Sequence, residues 1–395
     1  MIPRYRSAFN SSFTPERYQN FLARLDAAFD MHIDFRINET PIFISTDFER
    51  KLITSATEIL NQLRSTEYRR QSDHSFPPNA EAPNESDHPE FVQIDFGVVQ
   101  LADGSLDLRL IELQGFPSVY AFQEYLGRHS IEFNELHGVH HLCGGRTMEE
   151  YYDLMRRAII QDHQPENVIL MEVDPRQQKT RPDFIGTEQQ LGIRTVDITT
   201  IEREGKDLFY RNDEGKRTHI ERIYNRAIID ELEKKNTPYA FRFTDELNLS
   251  WACHPNWYYR ISKYSLPFLK HSTVPITTFL DALPSIPDDL EHFVLKPLFS
   301  FTGSGVIVAP TREQINAIPD EHLHHYVLQE KVEYAPIMQT PSGGTKVEFR
   351  VMFIWDKEPI AANFVVRTGR GKMMGVDFNK NLDWVGATCA LIANE

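Results

Sequence analysis

The sequence predicts a mixed α/β (α+β) chain, and three observations carry that expectation. Two alternating apolar runs, 91–99 and 106–114, flank an Asp-Gly turn at Asp103-Gly104 and read as a β-hairpin. A strand–helix–strand order over 168–196 reads as a parallel α/β unit. From about Trp257 onward, short apolar strands alternate with Gly-containing turns.

The 395 residues suffice for two or three units around a large shared core. A formal net charge of -15 argues against nucleic acid as the main partner, because phosphate backbones need a basic face. It leaves a nucleotide open, since that needs only a local basic pocket. Cys143, Cys253 and Cys389 are far apart and form no CxxC pair, so neither a disulfide framework nor a cysteine metal site is expected. No membrane partner is expected, because no apolar run reaches spanning length. A cytoplasmic protein is the expectation.

Along the chain, Thr14-Pro15-Glu16 has the form of a helix start. Thr46-Asp47-Phe48-Glu49 has capping-box spacing ahead of a stripe of Leu52, Ala56, Ile59 and Leu63. Residues 71–90 are rich in Pro, Asn, Ser and acids and read as an irregular loop. Ser118 is placed to cap the helix after the hairpin, and Thr147 with Glu150 forms a further capping box. In the middle unit, Val168–Met171 is a strand, 182–191 a helix ended by Gly192, and 193–196 the next strand, with 220–226 joining the sheet. His140-His141-x-Cys143 has a metal-like look but lacks a second cluster and reads as structural.

A symmetric, even-length turn pairs residues whose numbers sum to a constant, so Asp95 faces Glu112 and Gln93 faces Gln114. Asp95, Glu112 and Gln114 then share one sheet face. Opposed carboxylates repel, and a divalent cation between them removes the repulsion; these are hard oxygen donors of the kind magnesium takes. A solvated acidic face on an edge hairpin is the other reading.

The C-terminal half offers basic and Gly-rich segments. Phe293-Val294-Leu295-Lys296-Pro297 leads through Ser300 to Gly303-Ser304-Gly305, and then to Val306-Ile307-Val308. Such a turn can fold over phosphates beside a lysine, or be an ordinary hairpin loop. It is not a Walker A loop. Tyr326-Val327-Leu328-Gln329-Glu330-Lys331-Val332 suits a hinge that pairs with a base edge, or a buried strand reaching the surface. Glu348 and Arg350 alternate with apolar neighbours, as a salt bridge or a ligand contact. Arg367, Arg370 and Lys372 follow a strand as an anion site or a solvated loop.

In this order the segments resemble the ATP-grasp ligases, in the circularly permuted branch of eukaryotic-type glutathione synthetases and glutathionylspermidine synthetases. The resemblance rests on residues 293–297, 326–333, Val366-Arg367-Thr368, Gly386-Ala387 and the hairpin over 102–114. It implies a permuted ATP-grasp fold with an inserted parallel-sheet substrate domain. The expected divisions are 1–144 (N-terminal helices and hairpin), 145–255 (substrate domain) and 256–395 (ATP-binding part).

The activity it implies is amide formation from a carboxylate and an amine through an acyl phosphate, with ATP and Mg2+ and an amino-acid or peptide-like substrate. By the same resemblance, Lys263, Lys296, Gly303, Ser304, Gly305, Gln329, Glu330, Lys331, Val332 and Glu348 hold the nucleotide, and Asp95, Glu112 and Gln114 the magnesium. Arg367 and Arg350 stabilise the reacting charge, and Arg226, Ser118, Arg370 and Lys372 meet substrate. The expected partners are small carboxylates and amines, with homodimer assembly open.

Four positions depart from the branch. Gln93 replaces a substrate-facing arginine, Gln114 an asparagine and Gly369 a lysine, and the loop around Ser300 lacks an acid. Two alternatives accompany the ligase: an ATP-binding regulator that has lost its chemistry, and a carboxylate kinase that stops at the acyl phosphate.

Overall fold

The computed structural model describes residues 2–229, 232, 236–299, 304–374, 379 and 381–394. The chain opens with α1 (Pro3–Ser12) and α2 (Pro15–Phe29). Thr14 caps α2 by accepting from the Arg17 N–H, and Pro15 supplies the preset first turn. β1 (Ile42–Ser45) runs directly into α3 (Thr46–Leu63). The α3 cap is Ser45, accepting from the Phe48 N–H, one residue earlier than the expected Thr46. Leu52, Ala56, Ile59 and Leu63 bury one stripe of this helix in the main core.

After α4 (Thr66–Gln71) and a largely irregular stretch come β2 (Phe91–Gln100) and β3 (Leu106–Gln114), an antiparallel hairpin. α5 (Tyr120–Phe133), β4 (Val139–His140) and α6 (Met148–Ile159) follow, α6 opening on the Thr147–Glu150 box. Ser118 does not cap α5. Its N-cap position is Val119, and the Asp183 carboxylate accepts from the Ala121 and Phe122 N–H groups instead.

The middle unit contains β5 (Val168–Glu172), α7 (Arg181–Leu191) and β6 (Arg194–Asp197), with Gly192 ending α7 at φ 72°. A small antiparallel sheet, β7 (Glu202–Glu204), β8 (Asp207–Arg211) and β9 (Arg217–Ile220), precedes β10 (Arg222–Asn225) and β11 (Ser250–Ala252). The strands order β11-β10-β5-β6, all parallel.

β12 (Thr277–Phe279), β13 (Phe293–Pro297), β14 (Ile307–Val308) and β15 (Tyr326–Glu330) form an antiparallel sheet ordered β12-β15-β13-β14. The chain then adds β16 (Met338–Thr340), β17 (Gly343–Trp355), β18 (Pro359–Gly369) and β19 (Gly386–Ala393). These complete the large sheet β1-β19-β18-β17-β2-β3, with β16 on β17 and β4 on β19.

Strand alternation gives the large sheet two unlike faces. Ile94, Phe96, Phe349, Val351, Phe364 and Val366 join α3 in the main core. Their alternates, including Asp95, Glu348, Arg350 and Arg367, lie on the opposite face. Among the described residues, no helix is long and apolar enough to cross a membrane.

Candidate functional site

The hairpin brings Asp95 opposite Glu112 and Gln93 opposite Gln114. The turn, however, is odd: five residues separate the Gln100–Leu106 pair. The ladder therefore starts one residue out of the expected register, and a bulge at Ile111 restores it beyond Leu110. Bulges re-aim groups beside functional sites. This one presents the Ile111 carbonyl to Lys296 Nζ at 2.7 Å.

Two rows of residues cross the sheet on the face away from α3. One runs Ala387, Arg367, Glu348, Gly97; the other runs Cys389, Val365, Arg350, Asp95, Glu112. Asp95 is buried, and both its oxygens are taken by guanidinium groups. Arg350 donates Nε to Oδ1 at 2.6 Å and Nη2 to Oδ2 at 2.7 Å, and Arg367 Nη2 also donates to Oδ2. Gln93, fully buried, accepts from Arg350 Nη1 at 3.0 Å and from Gln114 Nε2 at 2.7 Å, and donates to the Ser118 carbonyl. Gln114 Nε2 donates to the Phe116 carbonyl as well.

Guanidinium groups from β17 and β18 thus neutralise Asp95, and the Gln114 amide is oriented by Gln93. Of the three expected ligands only Glu112 lines the cavity described below. Its carboxylate lies 3.3 Å from Lys263 Nζ and 3.9 Å from Arg350 Nη2. Burial pushes its pKa up, but Lys263, Arg367, Lys296 and Arg350 outweigh that and hold it down at about 2.

Glu348 is bridged by Arg367 and by the Tyr334 hydroxyl, which donates to it. Burial and then Glu348 push the Tyr334 pKa well above the ordinary value, so the phenol stays a donor. Gly97 makes room for this ring: a Cβ there would stand 2.6 Å from Tyr334 Cε1. Sequence reasoning missed Tyr334, although it directly follows the hinge segment.

Across from this floor, the β12–β15 sheet supplies Lys296 and Gln329. Lys296 Nζ donates to Gln329 Oε1 at 2.6 Å as well as to Ile111. Burial draws its pKa down to about 8; Lys263 works in the same direction, and Glu112, Glu348 and Asp95 oppose it. The Glu330 and Lys331 N–H groups bond to the Ile276 and His292 carbonyls, fixing the segment before Val332. Lys331 Nζ is held by the Glu291 carbonyl and by Glu333.

Between the two sheets lies a cavity of about 1100 Å³. It gathers the predicted Lys296, Gln329, Glu330, Lys331, Val332, Glu348, Arg350, Arg367, Lys372, Ser118 and Glu112. Lys263 stands behind Glu112. Ser304 and Gly305 are exposed on the β13–β14 turn and are not among the lining residues, and Gly303 lies outside the described residues. Among the buried donors without a hydrogen-bond partner are Gln329 Nε2 and Arg367 Nε, and both of these residues line the cavity.

Two expected substrate arginines, Arg226 and Arg370, are not among the residues that line this cavity. Arg226 is buried, ion-paired with Asp183 and set over the Phe184 ring. Its place is the joint between β10, α7 and α5, because Asp183 also caps α5. Arg370 bonds to the Asp383 carbonyl and carboxylate. His141 packs against Gly127 and lies 3.4 Å from Glu124, and Cys143 is in the core.

A large mixed sheet, parallel only where β1 meets β19, and a four-stranded antiparallel sheet close on a charged cavity, with a parallel-sheet unit beside them. The chain superposes on a glutathione synthetase-like effector from Globodera pallida, in its apo form, with a TM-score of 0.58. The match covers 97% of this chain and 99% of that one at 10% sequence identity, so the likeness is one of fold. A provisionally named gamma-glutamylcysteine synthetase from Methylobacillus flagellatus aligns with a TM-score of 0.39 at 12% identity, over 84% of this chain and 83% of that one, and carries no argument. No protein-family model and no curated protein matches the chain.

Proposed function

We propose that the chain is an ATP-dependent ligase that joins a carboxylate to an amine. The observation that carries this reading is the pair of buried, unpartnered donors, Gln329 Nε2 and Arg367 Nε, on residues lining a cavity between two sheets. Buried donors are rarely left without acceptors, and both residues stand beside fixed cations. The base lies against Val294, Val308 and Val332, which line the cavity from β13, β14 and just beyond β15. The phosphates reach Lys296, and the substrate carboxylate reaches Arg367 and Arg350.

A carboxylate oxygen then attacks the γ-phosphorus, the bond to the bridging oxygen breaks, and ADP leaves. The amine nitrogen attacks the acyl carbon, the C–O bond to phosphate breaks, and the nitrogen releases a proton. Lys296, Arg350 and Arg367 stabilise the charge that builds on the transferred group. Asp95, Glu112 and Gln114 as they stand do not offer a magnesium shell, since two guanidinium groups occupy both oxygens of Asp95 and Gln114 donates its amide to Gln93.

The saturation of Asp95 favours a second reading, an ATP-binding protein without transfer chemistry. The test is a screen for ADP release over amino acids, short peptides and polyamines, with and without magnesium. Release that needs both a carboxylate and an amine supports the ligase. Release with a carboxylate alone, trapped by hydroxylamine, identifies a kinase. ATP binding without release under any pair favours the second reading.

A further inference from the structure

The cavity floor changes character along its length. At the β3 end it is charged, with Glu112, Arg350, Glu348 and Arg367. Toward β19 apolar side chains gather on one wall, with Asp26, His32, Asp34 and Arg36 of the same segments also lining the cavity. Ala387, which lines the cavity, pairs with Arg367 in the sheet. The segment around Ile37 is clamped onto β19 beside it: Ala387 bridges Ile37, the Asn38 N–H bonds to the Ala387 carbonyl, and the Ala387 N–H to the Arg36 carbonyl. Ile33, Phe35 and Ile37 from this segment, with Leu25, Val119 and Phe122 from α2 and the start of α5, form that wall. Phe35 and Phe122 meet edge to face, with ring centroids 5.3 Å apart.

Val119 holds a left-handed backbone at φ 56°. That is a strained choice for a β-branched residue, and such strain collects at binding sites.

The nucleotide base does not account for this wall. Its apolar residues are Val294, Val308 and Val332, on and beside the sheet that carries Lys296, and Lys296 bonds to β3. The strand bearing Ala387 lies four strand spacings from β3, about 19 Å away. The cavity, at about 1100 Å³, is larger than a single small ligand commonly needs.

We propose that the apolar wall bounds a substrate subsite, so that the carboxylate received by Arg367 carries a bulky apolar or aromatic group lying among Phe35, Ile37, Val119 and Phe122. For its role in the reaction the subsite rests on the ligase reading; for binding it stands alone.

The experiment is calorimetric titration of the full chain, without nucleotide, with N-acetylphenylalanine and with N-acetylglycine. The two share a carboxylate and differ in the apolar group. The phenylalanine derivative binds at least about ten-fold more tightly, the scale of apolar pocket discrimination. Val119→Gly keeps the left-handed backbone, which glycine adopts freely, and removes part of the wall. Phe35→Asp places a charge in it. Both variants reduce the preference. Equal affinities in the unaltered chain, or an undiminished preference in both variants, overturn the proposal. A preference without ADP release from any substrate pair sinks the ligase reading and leaves the subsite standing. ADP release without a preference does the reverse.

Discussion

Lys296 spends two of its three N–H donors on fixed acceptors, the Ile111 carbonyl and the Gln329 oxygen, which leaves one for a ligand. Its pKa near 8 ties two properties to pH with opposite signs. Between about 8 and its ordinary value of 10.5, the unfolded chain holds more protons at this position. Its contribution to stability is therefore complete above 10.5 and lost as pH falls through about 8. Phosphate binding wants the charged form, so ATP affinity falls as pH rises through about 8, and binding takes up protons. Calorimetry in buffers of different ionisation heat checks this; affinity unchanged from about pH 7 to 9 contradicts it.

Glu112 shows how far a residue is legible in sequence. The expected facing of Asp95 and Glu112 holds because the Ile111 bulge offsets the odd turn, and from that facing alone removing one carboxylate relieves repulsion. The arginines that reverse the sign lie 255 and 272 residues after Asp95 and were not readable as partners. Glu112→Gln strips Lys263, Arg350, Lys296 and Arg367 of a counter-charge. It lowers stability by about 1–3 kcal/mol in denaturant titration, and an unchanged or higher midpoint contradicts this. Since the Glu112 pKa is depressed to about 2, its contribution is present above 4.5 and lost as pH falls toward 2.

At the level of elements, the hairpin was legible because its two runs alternate cleanly around Asp-Gly. The bulge at Ile111 was not, since nothing in the apolar pattern marks an extra residue. Helix starts with a local cap, such as Thr14 and Thr147, were readable to the residue. α5 was not, because its cap, Asp183, comes from another helix. The same distance hides the role of Arg226. The resemblance implies a substrate arginine and the sequence alone leaves a pairing with an acid equally open; in the fold it neutralises the carboxylate that caps α5. Arg226→Ala leaves Asp183 buried without its cation and costs about 3–5 kcal/mol of stability. A folded variant of unchanged denaturation midpoint, with only a raised KM, contradicts this. Gly97→Ala drives a methyl to 2.6 Å from the Tyr334 ring. It costs about 1–3 kcal/mol of overpacking, and a variant as stable as the parent shows that the ring has room to move.

For the whole molecule, both ends of the chain build one floor: β2 and β3 come from its first third, and β17, β18 and β19 from its last segment. The order of the charged segments was legible, and so was the parallel middle unit. The apolar wall of the cavity was not, because residues 33–37, 119–122 and 387 meet only through the pairing of the Ile37 segment with β19. The central claim is that this cavity binds ATP with its phosphates at Lys296. The measurement that tests it most directly is calorimetric titration of ATP into the unaltered chain and into Lys296→Ala. The account predicts that the unaltered chain binds and that the variant loses about 1.5–3 kcal/mol, or roughly 10- to 150-fold in affinity. Equal affinity in the two chains contradicts it.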